Sequence, residues 1–329
     1  MSFAETAGAA TPELRGRIGA LRDSLTSRLI GCDKLVERLL VALLAGGHVL
    51  IEGAPGLAKT RSVKLLAEGI EAPFARIQCT PDLMPADITG TPIWRPDRSL
   101  FEFVAGPIFH SLILVDEINR APPKVQSALL EAMAELQVTS GGVTHALPKP
   151  FMVVATQNPI EQEGTFPLPE AQLDRFLVHV VVELPSAEAE REILDLVEGE
   201  DAGGTAPDLH LLSLQDVLIA RAAARQVHLS PAVKDYIVRL VTAPRSDRIV
   251  PEIARSIAHP ASPRGTLALA ASSKARAYIR GRDHVVPEDV MALAGDVLAH
   301  RTIPTWKATA DGENARGLIA KLLDQIHPL

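Results

Sequence analysis

Five short apolar runs, each four to seven residues long, alternate with segments of helical spacing in the first half of the chain. The runs are His48–Ile51, Phe74–Ile77, Leu112–Val115, Phe151–Ala155 and Phe176–Val182. Runs of this length without a strict apolar and polar alternation are typical of strands buried on both faces of a parallel sheet. Strands that alternate with helices favour an α/β domain of three layers.

The character of the sequence changes near Leu184 and Pro185. Beyond this point we predict helices but no strand, and Ser230 and Ser262 each precede a proline at a predicted first helical position. The helical patterns are Leu214–Ala224, Pro231–Val241, Pro263–Arg280 and Pro287–His300. We therefore predict a disordered N-terminus over residues 1–13, an α/β domain over residues 14–184 and a smaller all-helical domain over residues 185–329. The 329 residues suit about two domains.

Composition and charge argue against several classes of protein. The hydrophobic share of 47% and the charged share of 22% are normal for a soluble globular chain. A formal charge of −7, without a run of Lys and Arg, argues against a nucleic-acid partner. The first residues do not form a signal peptide, and the most apolar stretch, Leu39–Ile51, is too short for a transmembrane segment. The two cysteines, Cys32 and Cys79, are predicted to be free thiols in a cytoplasmic protein.

The first apolar run leads into a loop that precedes a helix and consists of Gly53, Ala54, Pro55, Gly56, Leu57, Ala58, Lys59 and Thr60. Such a unit binds phosphate when its backbone N–H groups converge at the helix N-terminus, and it is then called a P-loop. We expect Lys59 to contact the β- and γ-phosphates of ATP, and the hydroxyl of Thr60 to bind Mg²⁺. Ala58 stands where glycine usually precedes the lysine, and it should impose a non-glycine backbone angle. The alternative is an ordinary turn before a helix.

Two acidic residues, Asp116 and Glu117, follow the third apolar run. The strand would deliver both carboxylates to the carboxyl edge of the sheet, where open α/β sheets bind their ligands. We expect Asp116 to hold Mg²⁺ through water, and Glu117 to orient or deprotonate the attacking water. Taken alone, the pair is better explained as a strand that enters a polar turn. The P-loop upstream reverses that preference, because together they make a complete phosphate and metal site.

Three further polar residues are candidates for the same site. Asn158 ends the fourth run and could position the attacking water, although an asparagine that starts a turn is the alternative. Arg264 lies in the first turn of a predicted helix, where a cation opposes the helix dipole by about 0.3–1 kcal/mol, so it makes best sense if it meets an anion. Arg175 either pairs with a carboxylate such as Asp174 or acts as an arginine finger, and the residues alone leave both interpretations open.

Taken together, these residues resemble the AAA+ ATPases, and the similarity to the MoxR family is close. The stretches that carry the resemblance are Gly53–Thr60, Asp116–Met133, Ala155–Pro159 and Gly164–Phe176. The similarity extends from about Ile30 to His300, and Ala58 resembles what MoxR proteins commonly carry. It implies a P-loop domain with α/β/α layers, followed by a helical lid.

The resemblance also implies roles for single residues. Asn158 would be sensor 1, Arg264 would be sensor 2, and Arg175 would be the arginine finger that acts on the ATP of a neighbouring subunit. Ile30 and Gly31 would line the adenine pocket.

A polar residue after the second strand, Gln78 or Thr80, would restrain Glu117 in proteins of this family. The segments Asp87–Phe109 and Gln137–Leu147 would be β-hairpin inserts, although plain surface loops are the alternative for both.

The function that the resemblance implies is chaperone-like remodelling or maturation of protein complexes, coupled to hydrolysis of Mg-ATP. Family members form homo-oligomeric rings, commonly hexamers, and their partners are proteins with von Willebrand factor A domains, often in maturing metalloenzymes. Three alternatives are open. They are a nucleotide-gated binding module with incidental hydrolysis, a nucleic-acid motor, and a motor subunit for metal insertion into a tetrapyrrole.

Overall fold

The structure, a computed structural model, describes residues 12–158, 164–201 and 211–328. The predicted disordered segment lies outside the described residues except for its last two positions. Those two residues are helical, because the first helix begins at Pro12. Pro159, which the sequence places after Asn158, also lies outside the described residues.

The first part of the chain alternates helices with strands, as predicted. Its elements are α1 (Pro12–Arg28), α2 (Asp33–Ala45), β1 (Val49–Glu52), α3 (Lys59–Gly69), β2 (Phe74–Gln78), α4 (Pro85–Thr89), β3 (Gly90–Arg95), β4 (Leu100–Ala105), β5 (Leu112–Asp116), α5 (Pro123–Glu135), β6 (Gln137–Ser140), β7 (Val143–Ala146), β8 (Met152–Gln157), α6 (Glu170–Leu173) and β9 (Val178–Val181).

The five apolar runs form one parallel sheet with the strand order β2-β5-β8-β1-β9. The register aligns Glu52 with Gln157 and with Val181, and it aligns Gln78 with Asp116. Because the strands are parallel and in register, their carboxyl ends meet at one edge. The prediction of a parallel-sheet α/β domain is confirmed.

The two faces of the sheet pack against different helices. On β5, Leu112 and Leu114 belong to a core shared with α1, α2 and α3, whereas Ile113 and Val115 belong to a core shared with α5. Alternate side chains of a strand point to opposite faces, and none of these four residues is more than 1% exposed. Burial on both faces explains the uniformly apolar run, and polar side chains appear only where the strand ends.

Both predicted inserts are antiparallel hairpins. One consists of β3 and β4, and the other of β6 and β7. The hairpins touch each other through Phe103 and His145, whose rings stack with their centroids 3.9 Å apart. Trp94 and Phe101 lie opposite each other on the first hairpin and are exposed.

The second part of the chain is mainly helical. Its elements are α7 (Ala187–Asp201), α8 (Leu214–Gln226), α9 (Pro231–Thr242), α10 (Pro251–Ser256), β10 (Ile257–His259), α11 (Pro263–Ile279), α12 (Pro287–Leu298), β11 (Ile303–Pro304), α13 (Trp306–Ala310) and α14 (Ala315–Gln325). Strands β10 and β11 form a short antiparallel pair that the sequence did not predict. Within the described ranges, no helix has both the length and the hydropathy to cross a membrane.

The lid is attached to the α/β domain through buried charged groups. The carboxylate of Asp296 in α12 accepts hydrogen bonds from Arg38 in α2 at 2.8 Å and from Arg316 in α14 at 2.6 Å. Arg316 also donates to the backbone oxygen of His179 in the edge strand β9. Since an unpaired buried charge is costly, this arrangement favours one position of the lid against β9 and α2.

Candidate functional site

The P-loop connects β1 to α3, which begins at Lys59. Nζ of Lys59 donates to the backbone oxygen of Gly53 at 2.5 Å. A Cβ at position 53 would lie 2.9 Å from the backbone oxygen of Val182, so the close approach of β9 requires glycine there. Burial lowers the pKa of Lys59, while Asp116 and Glu117 act in the opposite direction. The two acids are thus near enough to influence the lysine.

Ala58 has a left-handed backbone conformation, with φ of 51° and ψ of 17°. The expectation that an alanine imposes a non-glycine backbone angle at this position is therefore wrong. The loop keeps the conformation that suits glycine and places an alanine in it. For an L-residue this conformation costs roughly 1–2 kcal/mol.

A cleft beside the P-loop includes Ile30 and Gly31, the residues predicted to line the adenine pocket. It encloses about 110 Å³ and is open to solvent on one side. One wall of the cleft, formed by Ile193, Leu196 and Val197 of α7, was not predicted from the sequence. Their spacing of three and four residues on one helical face is the signal that could have revealed it.

Asp116 and Glu117 lie at the carboxyl end of β5, as predicted. Oγ1 of Thr156 in β8 joins them, because it donates to Oδ1 of Asp116 at 3.1 Å and accepts from the N–H of Glu117 at 2.9 Å. Glu117 has a φ of 56°. A strained backbone of this kind is common at functional sites. Thr156 was not among the residues predicted from the sequence.

Both carboxylates also accept hydrogen bonds from cationic or amide groups. Nε of Arg76 in β2 donates to Oδ2 of Asp116 at 2.7 Å. Oε2 of Glu117 accepts from Nε2 of Gln78 and from Nη1 of Arg120, each at 3.1 Å. Of the two residues expected to restrain Glu117, Gln78 is therefore the one in contact with it.

The other candidate, Thr80, makes a different contact. Its side chain is hydrogen-bonded to the carboxyl group of Asp82, and this hydrogen bond lowers the pKa of Asp82.

Asn158 is buried at the end of β8, 5% exposed. It lines a depression at the carboxyl edge of the sheet together with Glu52, Asn119 and Gln157. Glu52 immediately precedes the P-loop, so Asn158 shares the same edge as the loop. This is the place that the sensor 1 assignment requires.

Arg175 and Arg264 line one shallow depression with Asp174. Nη1 of Arg175 donates to the backbone oxygen of Leu130 at 3.0 Å. Nη1 of Arg264, whose side chain is 70% exposed, contacts the carboxylate of Asp174 at 3.3 Å. Arg301 holds the same carboxylate more closely, at 2.8 Å.

The two arginines lie at the edge of the sheet opposite to the P-loop. Arg175 precedes Val178, the first residue of β9, whereas Val182 after β9 lines the nucleotide cleft. At about 3.3 Å per residue, the strand alone separates the two places by roughly 13 Å. The structure therefore brings Arg264 to Arg175 and does not bring it to the P-loop of the same chain.

The residues at the carboxyl edge fit Mg-ATP. A side chain at position 53 would collide with the backbone of Val182, and Lys59 shares the carboxyl edge of the sheet with Asp116 and Glu117. A threonine hydroxyl and an aspartate supply the hard oxygen ligands that Mg²⁺ prefers. The neighbouring cleft is largely apolar, as a purine ring requires.

Comparisons with known proteins agree with this geometry. Residues 48–178 match the "ATPase family associated with various cellular activities (AAA)", and residues 252–322 match the AAA lid domain. The chain is 46% identical to "Chaperone MoxR1" of Mycobacterium tuberculosis over 91% of its length and 78% of that protein. It is 33% identical to "Protein MoxR" of Methylorubrum extorquens over 84% of each.

The chain belongs to the MoxR family of AAA+ ATPases. A crystal structure of a presumed ATPase from Cytophaga hutchinsonii is also similar, with a TM-score of 0.88 and 40% identity. The match covers 99% of this chain and 98% of that one. The α/β domain followed by a lid is thus the arrangement of a MoxR-type ATPase.

Proposed function

We propose that this MoxR protein hydrolyses Mg-ATP and uses the cycle to remodel or mature protein complexes. One observation carries the catalytic part of the proposal. The P-loop with Lys59 follows β1, and Asp116 and Glu117 stand at the end of β5, so they share the carboxyl edge of the parallel sheet beside a largely apolar cleft.

Each side chain at this edge has a distinct role in the proposed reaction. The P-loop N–H groups and Lys59 would bind the triphosphate, and Thr60 and Asp116 would hold Mg²⁺, which would supply positive charge to offset that of the phosphates. Glu117 orients the water and accepts its proton, while Asn158 keeps that water in line. Because Gln78 and Arg120 hold Oε2 of Glu117, the carboxylate must turn away from them to act.

The ring is proposed from the position of the two arginines. Neither Arg175 nor Arg264 lines the cleft of its own chain, and Arg264 is largely exposed. Both arginines can stabilise the charge on ATP if the neighbouring subunit of a head-to-tail ring places its nucleotide next to them. Sensor 2 would then act together with the arginine finger on the neighbour's nucleotide. The proposed ring is a homohexamer.

The partners are proposed from the family. The relative from Mycobacterium tuberculosis is named a chaperone, which supports protein complexes, including metalloenzymes, as clients. The family resemblance supports von Willebrand factor A domain proteins as partners. The cytoplasm is the proposed compartment, and the free thiols of Cys32 and Cys79 suit its reducing conditions.

The test is the Glu117→Gln variant. It keeps the shape of the side chain but removes the base, so fluorescent ATP should bind as tightly as to the wild-type protein. Turnover should fall by about 10²-fold or more. A Lys59→Ala variant serves as the matched control, because it should lose binding as well. A Glu117→Gln variant that turns over ATP at the wild-type rate would refute the proposed function.

A further inference from the structure

Arg76, which was not among the residues predicted from the sequence, contacts Asp116 directly and is linked to Glu117 through Gln78. Its Nε donates to Oδ2 of Asp116 at 2.7 Å, and its Nη2 donates to Oε1 of Gln78 at 3.1 Å. Gln78 in turn donates to Glu117 at 3.1 Å. A continuous chain of three hydrogen bonds therefore runs from the carboxylate expected to hold the metal to the carboxylate expected to activate water.

Strand register explains how one side chain reaches both groups. Gln78 is aligned with Asp116 on the neighbouring strand, and Arg76 lies two residues earlier in β2. Residues two apart in a strand point to the same face. The guanidinium group offers several N–H donors in a planar fork, so it can hold a carboxylate and an amide at once.

The contact with Asp116 is placed to compete with a metal ion. Oδ1 of Asp116 accepts from Thr156, and Oδ2 accepts from Arg76, so a cation that approaches Oδ2 meets a positive group already there. The Arg76 side chain is 52% exposed, whereas that of Asp116 is 9% exposed. Ion pairs that reach solvent are weak, so the arginine can swing into water when a stronger cation arrives.

We propose that Arg76 is a positioning residue that couples binding of the divalent cation at Asp116 to the release of Glu117. Without the cation, Arg76 holds Asp116 and Gln78, and Gln78 holds Glu117. When the cation displaces Arg76 from Asp116, Arg76 no longer donates to Oε1 of Gln78. Gln78 is then held less firmly, and its hydrogen bond to Glu117 weakens. Arg120 also holds Oε2 of Glu117, at 3.1 Å, and the carboxylate leaves this contact as well when it acts. This inference rests on the proposed Mg-ATP site.

The test measures metal binding rather than hydrolysis. Binding of Mn²⁺ is followed by electron paramagnetic resonance in the presence of a non-hydrolysable ATP analogue. Arg76→Ala removes the competing cation, so Mn²⁺ should bind about 5- to 20-fold more tightly than to the wild-type protein. Arg76→Lys keeps the charge and should restore nearly wild-type affinity. A purely structural role would not tighten metal binding.

Two further variants serve as controls. Arg22→Ala breaks an exposed arginine–aspartate pair on α1 and should leave Mn²⁺ affinity unchanged. Arg76→Gln keeps most of the side-chain volume and replaces Arg76→Ala if that variant unfolds.

The possible outcomes separate the inference from the proposed function. If the wild-type protein binds Mn²⁺ and Asp116→Asn does not, the proposed metal site at Asp116 is supported. If Arg76→Ala and Arg76→Gln then bind Mn²⁺ within about twofold of the wild-type affinity, or more weakly, the role proposed for Arg76 is refuted and the metal site is not. If the wild-type protein binds no Mn²⁺ with the analogue, the proposed function fails and the inference fails with it.

Discussion

Replacement of Ala58 by glycine should stabilise the nucleotide-free protein, although glycine usually destabilises. Ala58 has a φ of 51°, a conformation in which its Cβ costs roughly 1–2 kcal/mol. Glycine relieves that strain but adds about 0.5–1 kcal/mol of entropy to the unfolded chain. The net effect should be a gain of roughly 0.5–1 kcal/mol in the free energy of unfolding.

A matched control is the same substitution at Ala222, an exposed residue inside α8. There the backbone is helical, so Ala222→Gly should lose about 1 kcal/mol. The two variants should therefore differ by roughly 1.5–2 kcal/mol, or about 3–6 °C in melting temperature. Differential scanning calorimetry without nucleotide measures that difference. Equal losses in both variants would refute the assigned P-loop conformation.

Two further predictions concern buried groups. His48 accepts a hydrogen bond at Nδ1 from the N–H of Val153, and burial lowers the pKa of its imidazole to about 4. Because the folded pKa is below the unfolded value, stability is complete above pH 6.5 and falls towards pH 4 by about 3 kcal/mol. In urea unfolding, the free energy of unfolding of His48→Asn should lack this fall between pH 6.5 and pH 4. A pH slope equal to that of the wild-type protein would contradict the role of His48. Thr156→Val should lower kcat about 10-fold or more with ATP affinity nearly unchanged, since it removes both bonds that hold Asp116 and Glu117. A loss confined to KM in steady-state assays would argue against this role.

The sequence predicted the features that depend on local pattern. Each buried strand of the central sheet is an apolar run, because both of its faces are covered by helices. The residues that follow these runs, such as Asp116 and Asn158, could then be placed at one edge because parallel strands end together. The two hairpins also have local turn signals, Gly141 and Gly142 among them.

Features that depend on contacts between distant segments could not be predicted from the sequence. Arg76 meets Asp116 only because β2 lies next to β5 in a particular register. Arg264 meets Asp174 only because the lid packs along β9. The backbone conformation of Ala58 follows from the loop as a whole and contradicts the preference of alanine itself.

The central claim is that each ATP site is completed by the next subunit, and mixing two inactive variants tests it most directly. Lys59→Ala damages the subunit that binds ATP, and Arg175→Ala damages the neighbour that acts on it. Each alone should retain below about 1% of the ATPase rate, since an arginine finger contributes about 10³-fold or more. If equal amounts of the two variants assemble at random into rings, about a quarter of the ATP sites should be complete.

The mixture should therefore recover about a quarter of the wild-type rate. As a matched control, Lys59→Ala mixed with Glu117→Gln should recover nothing, because both changes damage the same half of a site. Native mass spectrometry confirms that mixed rings have formed. Recovery to about a quarter supports a site shared between subunits. Mixed rings of Lys59→Ala and Arg175→Ala that stay as inactive as their components would contradict it.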